Sequence, residues 1–248
     1  MTFPVYLGAG EWKVHPHLVF EPLVYIVAAW LVIRSRSRHG DALTTVDRWA
    51  IAAAAMIGGA LGGRLLFWLD QYASLAAHWR SPLEWPIGKT IVGGLLGGLI
   101  AVEMTKRHRH VRVPTGDLFA IPLAIGIAVG RIGCFLTGLD DHTFGTSTTW
   151  WTGVNFGDGI RRHPTALYEA VFLVGLALLL SRPRLRESRR GTQFRLFMIA
   201  YLAFRFALDF IKPEPVFALG LSMIQWACAA ALAYYVISER SRHGHVYA

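Results

Sequence analysis

Gly130-Arg131-Ile132-Gly133-Cys134-Phe135-Leu136-Thr137-Gly138 follows a run, residues 118–129, without a single charged side chain. Together the two stretches have the length and composition of a helix that crosses a bilayer, which needs about 20 apolar residues. An arginine this deep in such a segment is costly in hydrocarbon on low and high estimates alike. A chain that keeps it, between two glycines that let another helix or a ligand come near, puts it to use. The stretch therefore poses one question: which anion does the guanidinium meet?

The rest of the chain fits a membrane setting. Of 248 residues, 54% are hydrophobic and 17% are charged, against about 25% charged in ordinary soluble domains. Mean hydropathy is +0.39. The expected fold class is all-α: a polytopic integral membrane protein with about seven transmembrane helices, read from apolar runs of spanning length. These runs cover residues 18–33, 49–69, 90–104, 118–138, 164–180, 197–211 and 218–237. No separate soluble domain or repeat breaks the pattern, so residues 1–248 read as a single transmembrane domain. The first seventeen residues lack the basic-then-apolar order of a cleaved signal peptide, and the first run is expected to be a retained helix. Cys134 and Cys228 both fall in expected spans and form neither a zinc-ligand spacing nor a disulfide framework.

The net charge of +9 is explained by where the basic residues fall. Arg34, Arg36, Arg38 and Arg48 follow the first run, and Lys106, Arg107, Arg109 and Arg112 the third. Arg182, Arg184, Arg186, Arg189, Arg190 and Arg195 follow the fifth, and Arg240 and Arg242 the seventh. The opposite side holds fewer: Lys13, Arg80, Lys89, Arg161, Arg162 and Lys212. Positive-inside bias then places the N-terminus outside and the C-terminus in the cytoplasm. The basic side faces anionic lipid headgroups, and nucleic acid needs no part in the reading. On the other side Tyr72, Trp79 and Trp85 suit an interfacial belt. Residues 139–163, with Trp150 and Trp151, form the longest external connection, a length that in ordered loops often carries function.

Three arginines lie within the runs: Arg64 after Gly62-Gly63, Arg131, and Arg205, four residues before Asp209. Two readings stand for them. Each pairs with a carboxylate, the i,i+4 spacing of Arg205 and Asp209 being suited to that, or their planar forks gather round a lipid phosphate. Glu169 is a candidate counter-ion. Gly93-Gly94-Leu95-Leu96-Gly97-Gly98 is either a close helix seam or backbone opened for a headgroup. Pro164 suits the first turn of a helix. His163 is either an interfacial hydrogen-bonding group or a proton carrier. Asp140, Asp141 and His142 are the other acid–base candidates, or simply a solvated loop.

In this order the pieces resemble the prolipoprotein diacylglyceryl transferase family over nearly the whole chain. The likeness rests on Gly62-Gly63-Arg64, Val92-Gly93-Gly94-Leu95, Asp117 with Pro122, Gly130-Arg131-Ile132-Gly133 with Phe135, and Gly145. It continues through His163-Pro164 with Leu167-Tyr168-Glu169, Tyr201 with Arg205-Phe206 and Asp209, and Gln225. The resemblance implies an enzyme of the bacterial cytoplasmic (inner) membrane, its active site toward the external or periplasmic side. Such an enzyme transfers the diacylglyceryl group of phosphatidylglycerol to the lipobox cysteine of a prolipoprotein, forming a thioether and releasing glycerol phosphate, with no metal or organic cofactor. Its partners would be phosphatidylglycerol, the lipobox segment and membrane lipids. Arg131, Arg205 and Tyr201 match the family's catalytic positions. Arg64, Gly93, Gly94, Gly130, Gly133, Gly145, Tyr168, Glu169 and Asp209 match positions that would shape the substrate site.

The departures from the family pattern gather on the proton-handling side. Val92 stands where the family has a histidine, and valine moves no proton. Cys134 and Thr137 replace two asparagines, Leu139 occupies the position of a glutamate unless a small insertion shifts its role to Asp140 or Asp141, Asp209 replaces a glutamate, and Lys212 stands where arginine is common. His163, His142 and Asp140 or Asp141 are the candidates to take over the histidine's role. Two other functions remain beside the transferase: a paralogue with the same phospholipid donor and another acceptor, and a phospholipid-binding membrane protein that breaks no bond.

Overall fold

The computed structural model describes residues 3–8, 13–39, 43–78, 80–81, 85–86, 88–186, 190–213 and 215–244. Trp79 of the expected belt and Arg189 lie outside the described residues. The helices in chain order are α1 (Pro16–His39), α2 (Thr45–Asp70), α3 (Tyr72–Ala77), α4 (Ile91–His108) and α5 (Asp117–Thr137), then α6 (Thr165–Leu180), α7 (Pro183–Arg186), α8 (Thr192–Leu208) and α9 (Met223–Gly244). Two short 3₁₀ helices, Gly138–Asp141 and Asp209–Ile211, continue α5 and α8. A small antiparallel hairpin pairs β1 (Val154–Asn155) with β2 (Arg161–Arg162), Val154 opposite Arg162.

Each apolar run of the sequence is a helix, and the ends move for identifiable reasons. Helix α2 starts where the Thr44 hydroxyl accepts from the Asp47 amide, and α4 where the Thr90 hydroxyl accepts from the Gly93 amide at 3.1 Å, both N-caps. Helix α8 begins at Thr192 because the Asp117 carboxylate, at the start of α5, accepts from the amides of Gly191 (2.5 Å) and Phe194 (2.8 Å). A negative group there also faces the positive end of the helix dipole. Helix α9 starts at Met223, after a turn in which Leu219 and Gly220 take positive φ. Ser222 and Gln225 close it as a reciprocal capping box: the Gln225 amide donates to Ser222 Oγ (3.1 Å), and the Ser222 amide to Gln225 Oε1 (2.9 Å).

Among the described residues, three helices are long and apolar enough to cross a membrane by length and composition: Pro16–Arg36, Thr45–Asp70 and Asp117–Asp141. Helices α6 and α9 carry shorter apolar segments, Thr165–Leu180 and Met223–Ser238. On α1 the side chains of Leu18, Tyr25, Ile26 and Ile33 stand exposed, as suits a face turned to lipid rather than to water.

The chain forms two compact units. The first is drawn from Met1–Gly40, Pro114–Tyr201 and Phe210–Pro213, the second from Asp41–Val113, Leu202–Asp209 and Glu214–Ala248. In the first, α5 packs between α1 and α6. Its glycines face α1 closely: a Cβ on Gly133 would stand 2.6 Å from the Phe20 Cβ. In the second, α2 and α4 run together along a seam of glycines, with α9 against both. A Cβ on Gly62 would come within 2.4 Å of the Gly93 carbonyl oxygen, and one on Gly97 within 2.3 Å of the Gly58 oxygen. With no hydrophobic drive between helices in lipid, such small residues let backbones approach and dispersion contacts build. At Gly93 and Gly97 the helix-seam reading of the sequence holds, because the neighbouring backbone fills the space.

Candidate functional site

Arg131 is held in the first unit. It lies on the face of α5 turned to α6, opposite the glycines that meet α1, and its Nε pairs with Glu169 Oε2 at 2.9 Å. The two side chains are 11% and 2% exposed. The other carboxylate oxygen, Oε1, accepts the Tyr201 hydroxyl at 2.7 Å. Tyr201 is fully buried and stacks on Phe197 at 6.0 Å between ring centroids. Three helices thus contribute one side chain each to a buried cation–carboxylate–phenol line. Removing two charges from water costs several kcal/mol, which their attraction and added hydrogen bonds must offset; here the Tyr201 hydroxyl supplies a hydrogen bond to the carboxylate. Arg131 Nη1 lies 3.9 Å from Cys134 Sγ, one turn further along α5.

The other family-matched residues of this unit have contacts of their own. His163 Nδ1 lies 3.2 Å from the Tyr168 hydroxyl, which also meets the Thr152 hydroxyl at 2.6 Å. The Trp150 indole packs edge-on against His163. Gly145 is buried where its amide donates to the His163 carbonyl at 2.8 Å, and a Cβ there would stand 2.7 Å from both the His163 Cβ and the Ile211 carbonyl oxygen. Gly130 faces Val24 of α1 at ordinary contact distance. Thr137, in an asparagine position of the family, spends its hydroxyl within the helix on the Gly133 carbonyl at 2.9 Å. Asp140 and His142 are exposed, on either side of Asp141. Asp141 itself is engaged: its Oδ1 lies 2.7 Å from His17 Nε2, and its Oδ2 accepts the Thr143 hydroxyl at 2.6 Å. His17 escaped the sequence reading. The signal lay in the run His15-Pro16-His17 at the start of α1, an imidazole pair at the mouth of a membrane-length helix.

The β1–β2 hairpin is held by side-chain contacts of its own. The Arg161 guanidinium donates to the carbonyls of Trp150, Trp151 and Gly153, so it fixes a turn on which Trp150 and Trp151 stand outward. Asp158 pairs with Arg162 at 2.6 Å. The Ile160 amide beside it, together with Arg162, holds its carboxyl below the ordinary value.

The second unit holds the other two arginines of the apolar runs. Arg205 pairs with Asp209, four residues on, with side chains 6% and 0% exposed, so the carboxylate partner foreseen from the spacing is present. Asp209 Oδ2 also accepts the Ser222 hydroxyl at 3.0 Å, and Gln225 Nε2 donates to the Phe206 carbonyl at 3.2 Å. Arg64 has another kind of partner: Nη1 donates to the Gly88 carbonyl at 3.1 Å and the guanidinium lies over the Trp68 ring at 5.5 Å. Gly93 and Gly94 sit in the α2–α4 seam. Val92, where the family has histidine, is fully buried. Among the described residues, no group of three or more His, Cys, Asp or Glu side chains could hold a metal ion.

A buried arginine held by a glutamate of a neighbouring apolar helix is a group that could meet an anion. Comparison with known proteins narrows the class: residues 4–238 match the prolipoprotein diacylglyceryl transferase family, and the chain belongs to it. A phosphatidylglycerol–prolipoprotein diacylglyceryl transferase of Geobacter sulfurreducens is 34% identical over 227 residues, covering 88% of this chain and 85% of that protein. One from Oleidesulfovibrio alaskensis is 34% identical with 82% and 79% covered. One from Pseudomonas aeruginosa is 31% identical with 84% and 80% covered.

Proposed function

We propose that this chain transfers the diacylglyceryl group of phosphatidylglycerol to the cysteine of a prolipoprotein, as the names of its relatives describe for them. The observation within the molecule that carries this reading is Arg131, buried and oriented by Glu169 and Tyr201. A phosphodiester brought to the Nη edge would meet two fixed N–H donors of a planar fork, the geometry that suits phosphate oxygens. As the C–O bond to the phosphate breaks, negative charge gathers on the leaving glycerol phosphate. A donor already in position stabilises that charge without reorganising, and the low dielectric strengthens it. Glu169 holds the guanidinium at the required angle. The acceptor must arrive as thiolate, the nucleophilic form of cysteine.

The family match runs through both units, which supports taking residues 1–248 as one transferase domain. The apolar helices and the basic loops support about seven spans, the N-terminus outside, the C-terminus in the cytoplasm, and placement in the bacterial inner membrane with the reaction on the external side. Arg205, held by Asp209, and Arg64, held by the Gly88 carbonyl, are further residues that this reading requires for activity.

The test is to incubate purified protein with phosphatidylglycerol and a lipobox peptide, and to follow the peptide by mass spectrometry. A diacylglyceryl thioether on the peptide cysteine is the expected product. Glycerol phosphate released without modified peptide would move the assignment to a paralogue with another acceptor. Lipid bound with neither product formed would make the chain a phospholipid-binding protein.

A further inference from the structure

An imidazole oriented by a carboxylate stands at the start of α1 in the first unit. His17 opens α1, and its Nε2 lies 2.7 Å from Asp141 Oδ1; the side chains are 33% and 13% exposed. Asp141 is fixed in turn by the Thr143 hydroxyl at 2.6 Å. The His15 ring stacks on His17 at 5.5 Å with an 18° interplanar angle, and the His17 amide donates to His15 Nδ1 at 3.3 Å. An ionised carboxylate only accepts, so Nε2 carries the proton and Nδ1 keeps the basic lone pair. The carboxylate also stabilises the imidazolium that forms when Nδ1 takes up a proton.

The location matters as much as the pair. Asp141 is in electrostatic contact with Cys134, and Cys134 Sγ is 3.9 Å from Arg131 Nη1. The carboxylate that orients His17 is thus one side chain away from the guanidinium assigned to the phosphate. The groups around the imidazole are Asp141 of the 3₁₀ helix, His15 of its own segment and, beyond Cys134, Arg131 of α5. The other candidates are placed less well. His163 Nδ1 faces the Tyr168 phenol rather than a carboxylate, and Asp140 and His142 stand at the surface.

We infer that His17, oriented by Asp141, is the general base that deprotonates the acceptor thiol in this chain. The inference rests on the transferase reading above. The proton passes from the thiol to His17 Nδ1. The thiolate forms a C–S bond to the diacylglyceryl carbon while the C–O bond to phosphate breaks, and the electron pair leaves on the oxygen of glycerol phosphate. The imidazolium then returns its proton to the departing phosphomonoester or to water.

The test uses the full chain in nanodiscs with phosphatidylglycerol and a lipobox peptide, the wild type first. His17→Ala should lower thioether formation by about 10²–10⁴-fold, the usual share of a general base. Added imidazole should restore part of that rate, which a packing role would not allow. His17→Gln, which can still donate to Asp141 but has no basic nitrogen, should show the same loss and serves if the alanine variant folds poorly. Full-rate transfer by either variant overturns the role, as does a loss in a folded His17→Ala that imidazole leaves unchanged. A wild type that modifies no peptide overturns the transferase reading itself, and is told apart by failing before any variant is compared.

Discussion

Each of the two units buries an arginine against a carboxylate, and the two pairs are built on different principles. In the first, Arg131 of α5 reaches Glu169 of α6, and Tyr201 of α8 closes the carboxylate's other side. In the second, Arg205 meets Asp209 one turn away on the same chain segment, with Ser222 as third partner. The local pair needs only a helix to form. The cross-helix pair needs three helices in register, so it reports on, and depends on, the packing of the unit. The cross-helix pair is therefore the one whose geometry a change in helix packing disturbs first.

The largest effect should come from Glu169→Ala, which leaves Arg131 buried without its carboxylate. A loss of about 3–5 kcal/mol is expected, as for other broken buried pairs, read by thermal unfolding in detergent. If Asp209→Ala cost clearly more, the contrast between the pairs would be reversed. Arg131→Lys keeps the charge and loses the fork, and should slow thioether formation by about 10²–10³-fold, on the scale of losing one preorganised donor. Turnover within a few fold of wild type would remove Arg131 from its role.

The glycine seam sharpens the second unit. Gly97→Ala would drive a Cβ to within 2.3 Å of the Gly58 carbonyl and should cost about 1–3 kcal/mol by overpacking. Gly94→Ala, whose Cβ would meet the Gly59 oxygen at 3.5 Å, should be close to neutral. Equal losses at both positions would argue against the seam as the close contact. Ser222→Ala removes the α9 cap and one partner of Asp209 together, and should cost about 1–2 kcal/mol, measured by denaturant unfolding. The smallest effect belongs to the hairpin outside both pairs. Because Asp158 is held below its ordinary value, its contribution is present above the unfolded pKa, about 3.9, and is lost as pH falls through the lower folded value. The protection factor of the Ile160 amide, its exchange corrected for the intrinsic pH dependence, should therefore fall only below about pH 4. A protection factor that already falls between pH 8 and 5 would assign the hairpin's stability to another group.

Much of this was legible in the residues. Apolar runs announce membrane helices because hydrocarbon leaves the backbone few alternatives, and every run proved to be a helix. Arg205 with Asp209 could be read from i,i+4 spacing alone. Arg131 with Glu169 could be named only as a possible pairing, since nothing local says which helix faces α5. The helix ends were less readable. The α9 start moved from 218 to Met223 because the Ser222–Gln225 box overrides the apolar pattern, and the α8 start was fixed by Asp117 from far along the chain. The partnership of His17 with Asp141 was invisible for the same reason: the two stand 124 positions apart, and only the packing of α1 on α5 brings them together.

The Asp117 clasp has a consequence at a distance. Its carboxylate takes hold of α8 at Gly191 and Phe194, and the same helix then rises to Tyr201, whose hydroxyl must reach Glu169. The clasp is in effect the zero mark of a ruler, and the tyrosine is read off further up the scale. One residue inserted between Phe194 and Tyr201 would leave the zero mark intact, yet turn the tyrosine by about 100° and lift it about 1.5 Å. The phenol would swing off the carboxylate, and Arg131 would lose its aim through an error made at the far end of the helix.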